Sequence, residues 1–208
     1  MLILQQFRFP FIGLFFLTQA LAGSLSAQSW DFVKEQDGIK IYTRHEAGKS
    51  LKAFKGTADI QAPAEKVFSL IEDVNHTEWW DPNLIQIKVL AYEKYKSAKY
   101  YLVYDSPWPV PNRDLYADVS VTIDRIKSIF TVTAVTVAAV MPEREGRVRI
   151  KNYRQTWTIS SAGENSAHVV LEGFMDPAGN IPVWISNMLV IQSPLNAILG
   201  VRQRMEKK

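Results

Sequence analysis

The chain contains no cysteine, which at once excludes disulfides, thiolate nucleophiles and zinc–cysteine sites. Histidine is scarce as well, with three residues in 208. His76, Glu78 and Asp81 come nearest to a metal-ligating cluster, but their spacing fits no recognised site; His45 and His168 stand alone. We expect neither metal nor cofactor. The sequence has no Gly-x-Ser-x-Gly elbow and no glycine-rich phosphate cradle. An excess of one charge is also missing. The formal net charge is +3, lysine and arginine alternate with aspartate and glutamate, and no basic stripe interleaves with aromatics. Nucleic acid is therefore not an expected partner. Repeats, linkers and low-complexity tracts are absent, and beyond the N-terminus no run is long and apolar enough to span a bilayer.

What remains is a single-domain composition. Apolar residues make up 47% and charged residues 22%, enough to build one sizeable core at this length. The N-terminus follows a separate logic. Arg8 precedes an apolar run over residues 9–21, broken only by Thr18 and Gln19, and the small residues Ala20, Ala22, Gly23, Ser24, Ser26 and Ala27 follow. Charge, a short apolar stretch and a small-residue zone are the order of a secretory signal. We expect residues 1–27 to be a signal peptide cleaved between 22 and 27, and the protein to be periplasmic or secreted. A retained N-terminal membrane anchor is the alternative.

The mature part alternates between two periodicities. Residues 29–35 suit a short helix capped by Ser29. Asp37–Gly38 is a turn, and residues 39–43 are a strand. In residues 52–60 the positions Phe54, Gly56, Ala58 and Ile60 share one face, which marks a half-buried strand. Pro63 opens a helix whose Val67, Leu70, Ile71 and Val74 recur at helical spacing. Six further strand segments follow. Ile85, Ile87 and Val89 alternate with polar residues, and Tyr101 and Val103 alternate with Tyr100, Leu102 and Tyr104. Residues 115–124 and the β-branched run 128–140 come next. Residues 147–160 read as one strand with a bulge where the apolar phase slips between Ile150 and Tyr153. A last strand covers residues 167–175. From Pro182 the period becomes helical, and Trp184, Met188, Ile191, Leu195, Ile198 and Met205 fall on one stripe. Pro194 interrupts the helical ladder, and Arg202, Arg204, Lys207 and Lys208 suit the C-terminal end of the helix dipole.

A meander of strands needs a cover, and only the last helix is long enough to provide it. The expected fold class is α+β: a curved antiparallel sheet wrapped around a long C-terminal helix. A sheet that curls around a helix without closing on it leaves an apolar internal cavity.

Several segments resemble the START (StAR-related lipid-transfer) family. They are residues 37–44 (DGIKIYTR), residues 52–56 followed by Ala62-Pro63 and the Val67-Phe68 helix, and the proline-rich loop 106–114 (SPWPVPNRD) ending in Arg113-Asp114. Asp176-Pro177-Ala178-Gly179-Asn180-Ile181-Pro182, with Trp184 and Asn187, completes the set. The likeness runs from Trp30 to Arg204 and implies one START-like lipid-binding domain over residues 30–206. It implies a helix-grip fold, one hydrophobic ligand in an internal tunnel and a C-terminal helix acting as lid. Some sterol carriers of the family have a buried arginine shortly after the Arg-Asp pair. Residues 115–119 (LYADV) contain none, so a sterol is not implied.

The expected ligand-contacting set is Phe54, Ile87, Val103, Trp108, Arg113, Tyr153, Trp157, Glu172, Phe174, Trp184, Met188, Ile191 and Leu195. The Trp184–Leu195 stripe either roofs a ligand or packs as ordinary core; both bury it. Trp108 and Val110, stiffened by three prolines, either touch a membrane transiently or pack on the helix. Arg113 either meets a polar lipid head or anchors its loop. Glu172 shares a strand face with Val170 and Phe174, and a carboxylate in the tunnel would have a raised pKa. The expected function is binding of a lipid or other hydrophobic molecule by a monomer, as carrier or sensor in the cell envelope. The alternative is a helix-grip enzyme of cyclase or hydrolase type, with Glu172 and Arg113 or Tyr153 as its polar groups.

Overall fold

A computed structural model describes residues 29–46, 48–137 and 142–206. The expected leader, the end of the β-branched run at Val140, and Lys207 and Lys208 lie outside the described residues. The chain opens with three antiparallel strands, β1 (Asp31–Gln36), β2 (Ile39–His45) and β3 (Lys52–Ile60), followed by helix α1 (Ala64–Glu72). Four more strands follow: β4 (Leu84–Glu93), β5 (Ser97–Tyr104), β6 (Asn112–Asp124) and β7 (Ile129–Thr136). The short β8 (Arg147–Arg149), the long pair β9 (Asn152–Gly163) and β10 (Ser166–Asp176), and helix α2 (Val183–Met205) complete the chain. Nine strands form one sheet in the order β1-β2-β3-β10-β9-β7-β6-β5-β4, and β8 joins β6 in parallel. This is the expected α+β helix-grip architecture. Pairing of β10 with β3 joins the two ends of the chain across the middle of the sheet.

Two local expectations are corrected. Residues 29–35 do not form a helix, because Asp37 and Gly38 both take positive φ (51° and 68°). That turn folds residues 31–36 back as a strand against β2. Residues 147–160 are not one bulged strand either. The phase slip between Ile150 and Tyr153 is a break, where the chain leaves β6 and begins again beside β7 and β10.

One face of the sheet is concave. Phe54, Gly56, Ala58 and Ile60 of β3 point into it together with Ile39 and Ile41 of β2 and Val169 and Leu171 of β10. Helix α2 docks there, packed chiefly against β2, β3 and β10. A Cβ at Gly56 would lie 2.7 Å from Ile198 Cδ1 and 3.2 Å from Pro194 Cβ, so the absent side chain is what lets helix meet strand. By length and composition α2 is also apolar enough to cross a bilayer, contrary to the expectation that no second stretch qualifies. Its apolar residues instead cover the sheet: Leu195, Ile198 and Val201 are almost wholly buried, each gaining about 1.5–3 kcal/mol by leaving water. Helix α1 packs on β7, β9 and β10, with Phe68 stacked on Phe130, so among the described residues it is the concave face of β4 to β6 that has no helix packed on it.

Candidate functional site

The uncovered half of the trough is hollow. Two adjoining chambers of about 100 Å³ and 110 Å³ lie between the sheet and α2. Asp81, Tyr104, Tyr153, Gln155 and Ser193 belong to the walls of both and form the waist between them. The inner chamber is apolar. Its floor is the inward row of β5, Ala98, Tyr100 and Leu102, continued by Ala117 of β6, Val132 of β7 and Trp157 of β9. Trp79 and Trp80, from the connection after α1, close its side. The outer chamber lies between β5, β6, β10 and the start of α2, and its wall includes Phe54, Arg113, Met175, Leu189 and Val190.

The walls carry the charged residues Glu72, Asp81, Glu93, Asp105 and Arg113, and in Arg113 and Asp81 burial disfavours the charge. Arg113 is 4% exposed. Its guanidinium donates to the carbonyl oxygen of Pro111, to Ser106 Oγ at 3.3 Å, and to the carbonyls of Pro177 and Ala178 at 3.4 and 3.5 Å. It therefore ties the loop of residues 105–111 to the lead-in of α2. Every one of these acceptors is neutral, and no carboxylate pairs with Arg113 among the described residues. Burial lowers its pKa, yet a guanidinium remains charged at any physiological pH. At the waist, Asp81 accepts the Asn83 N–H at 2.8 Å. Burial raises its carboxyl above the usual range, with the Asn83 hydrogen bonds opposing. The phenols of Tyr104 and Tyr153 are raised by burial first and by the Asp81 charge in addition. Tyr153 donates to Gln155 Oε1 at 3.1 Å. The chambers thus offer apolar walls to a hydrophobic body, one buried cation beside the loop of residues 105–111 and one desolvated carboxyl at the waist.

Residues 53–193 match the family described as "Polyketide cyclase / dehydrase and lipid transport". The chain belongs to this family. Its START character shows in relatives of both kinds. A mouse phosphatidylcholine transfer protein is 28% identical over 170 residues, covering 79% of this chain and 78% of that protein. An uncharacterized Pseudomonas aeruginosa protein is 29% identical over 189 residues, covering 90% and 92%. The crystal structure of a STAR-related lipid transfer protein from Xanthomonas axonopodis superposes with a TM-score of 0.76 at 28% identity, over 86% of this chain and 99% of that one.

In this START-type chain the residues expected at the ligand divide into three groups. Phe54, Arg113, Tyr153 and Trp157 line the chambers. Ile87 packs half-buried behind them, against the cluster of Ala98, Tyr100 and Leu102, while Leu195 and Ile191 belong to the core between α2 and the sheet. The remaining positions need correction. Val103 points to the other side of β5, where it packs with Tyr101 and Tyr116. Glu172 and Phe174 also face away, because the inward row of β10 is Ala167, Val169 and Leu171. Glu172 sits 3.9 Å from Lys55 on that outer face, and Phe174 lies under Lys49 and Arg154. Trp108, Trp184 and Met188 are 93%, 69% and 55% exposed. The cavity side of α2 is instead Ser186, Leu189, Val190, Ser193 and Asn196. Ile85 and Val89 are exposed too, because register shifts between Leu84 and Gln86 and between Val89 and Ala91 re-aim β4.

The sequence reading missed Asp81 as a cavity group; it grouped Asp81 with His76 and Glu78. The three diverge: His76 pairs with Asp73 at 2.7 Å and Glu78 with Arg204 at 3.3 Å, while Asp81 turns inward. The tryptophan pair immediately before it was the available signal that this connection is buried. A second signal was Ser186, Ser193 and Asn196, polar residues at i, i+7 and i+10 on an otherwise apolar helix.

Proposed function

We propose that this protein binds a lipid in the two-chambered cavity and carries it between membranes of the cell envelope. The observation that carries this reading is the unfilled, apolar half of the trough with a carboxylate-free buried guanidinium near its mouth. Such a cation suits the phosphate or carboxylate of a lipid, since fork geometry and low dielectric both favour an anion there. The apolar walls gain by covering acyl chains. The lipid-transfer names of the mouse and Xanthomonas relatives point the same way.

Exposed Trp108 and Trp184 stand on the two segments that Arg113 ties together. Rings with an apolar body and a polar tip favour the membrane–water boundary. The mouth is thus equipped for transient contact with a bilayer, and a shift of the 105–111 loop against α2 would open the outer chamber. Export from the cytoplasm is part of this proposal and rests on the charge, apolar run and small-residue zone of residues 8–27.

Gentle purification followed by organic extraction and mass spectrometry tests the reading. A stoichiometric lipid in the extract supports it. A bare chain that also takes up no offered phospholipid or fatty acid overturns it.

A second reading has one observation behind it. Asp81, with a raised pKa beside two buried phenols, has the environment of a general acid or base, as a cyclase acting on a hydrophobic substrate would need. Turnover of an offered polyketide that is lost in Asp81→Asn would favour it over carriage. Glu172, on the outer face, has no part in this scheme.

A further inference from the structure

The inner chamber ends on a closure of its own, away from the Arg113 mouth. Its walls follow β5 from Ser97 to Tyr104, a run of about 24 Å at ~3.4 Å per residue. Arg113 stands opposite Tyr104 in the β5–β6 register, and Tyr92 and Glu93 stand opposite Ala98 and Ser97 in the β4–β5 register. The charged mouth and the Ser97 end therefore lie at opposite ends of one strand.

At the Ser97 end the polar groups of Glu72, Tyr92, Glu93 and Ser97 join Val119 and Val121 of β6 in the wall. Glu72, the last residue of α1, holds this end shut. Its Oε1 accepts the Tyr92 hydroxyl and also the Tyr95 backbone N–H at 2.9 Å, pinning the β4–β5 turn to the helix. Tyr92 is 41% exposed while also lining the chamber, so its side chain stands between the cavity and solvent at this end.

We infer that the Glu72–Tyr92 latch sets the length of chain the cavity accepts: a lipid anchored at Arg113 lies along β5, and its tail stops against Tyr92. The inference rests on the lipid-binding reading and adds a specificity determinant to it. A chain that ends before the latch is fully covered. A longer one must break two hydrogen bonds or leave methylenes in water.

The test measures dissociation constants for saturated fatty acids from decanoic to docosanoic, using the full folded protein and the variants Tyr92→Ala, Tyr92→Phe and Glu72→Gln. In the unmodified protein, affinity is expected to rise with length, reach a maximum and fall. Tyr92→Ala is expected to move that maximum to longer acids, tightening them by about fourfold for each methylene newly covered, and to leave decanoic acid unchanged. Tyr92→Phe, which removes the hydroxyl's bond, moves it in the same direction by less, and Glu72→Gln, which keeps an acceptor oxygen but loses the charge that strengthens both bonds, moves it least. An identical length profile in all four proteins, with decanoic acid bound normally, overturns the latch while leaving lipid binding intact. Failure of every acid to bind the unmodified protein overturns both.

Discussion

Arg113 and Asp114 are neighbours on β6 that serve opposite faces of the sheet. The guanidinium of Arg113 enters the outer chamber. The carboxylate of Asp114 is held on the far face by Arg149, with Nε–Oδ1 at 2.6 Å and Nη2–Oδ2 at 3.0 Å, and by the Tyr101 hydroxyl at 2.9 Å. Burial alone would raise the Asp114 carboxyl, but the hydrogen bonds from Arg149 and Tyr101 outweigh it and lower the pKa below 3.8. The two-residue period of a strand thus gives one Arg-Asp pair two separate tasks, ligand on one side and stability on the other.

Asp114→Ala is therefore expected to cost about 3–5 kcal/mol, because it leaves the Arg149 cation buried without its partner. A fatty-acid probe should still bind with unchanged affinity where the variant is folded. Since the folded pKa is depressed, the stabilisation is present above the unfolded value of 3.8 and is lost as pH falls through the folded one. Urea midpoints measured across acidic pH check both statements.

Gly56→Ala should destabilise by about 1–3 kcal/mol, the usual cost of overpacking a filled core. The added methyl meets Ile198 Cδ1 and the rigid ring of Pro194, so α2 must lift from β3. Thermal unfolding measures the loss.

Asp81→Asn is expected to stabilise the unliganded protein near pH 7. The folded pKa of Asp81 is raised above 3.8, so its favourable contribution is complete below that value and is lost as pH rises through the folded one. Asparagine keeps the acceptor for the Asn83 N–H and removes the desolvated charge. The stability difference between the two proteins should shrink to nothing as the pH approaches about 3, where both side chains are neutral. A difference independent of pH would show that charge is not its cause.

Trp108→Ala and Trp184→Ala remove exposed rings, so stability should change by no more than about 0.5 kcal/mol. Binding to lipid vesicles, followed by sedimentation, should fall by about tenfold in the double variant if the rings bury apolar area at the interface. Undiminished vesicle binding would remove the mouth as the membrane-facing side.

Much of this was legible from residue order. The β3 bounds, the Pro63 helix start, the meander and the final helix follow from clean periods and from turn residues. The phase of β10 was not legible. Phe174 is buried on the outer face beneath Lys49 and Arg154, so both faces of the strand carry apolar side chains and alternation cannot orient it. Helix α2 poses the same problem around its axis. Ile185, Leu189 and Val190 are as apolar as Trp184 and Met188, and hydrophobic spacing alone cannot say which of them face the sheet. Hollow space is a property of the assembled sheet and helix, and no single segment encodes it.

The most direct test fills the inner chamber. Ala117, 2% exposed on β6, is part of its floor, and Ala117→Phe would place a ring in the space assigned to the acyl chain. Affinity for a fluorescent fatty acid should fall by at least about tenfold, several methylenes' worth of lost burial, in a variant that still unfolds cooperatively. Unchanged affinity in that folded variant would contradict the account, because the lipid would then lie outside the cavity.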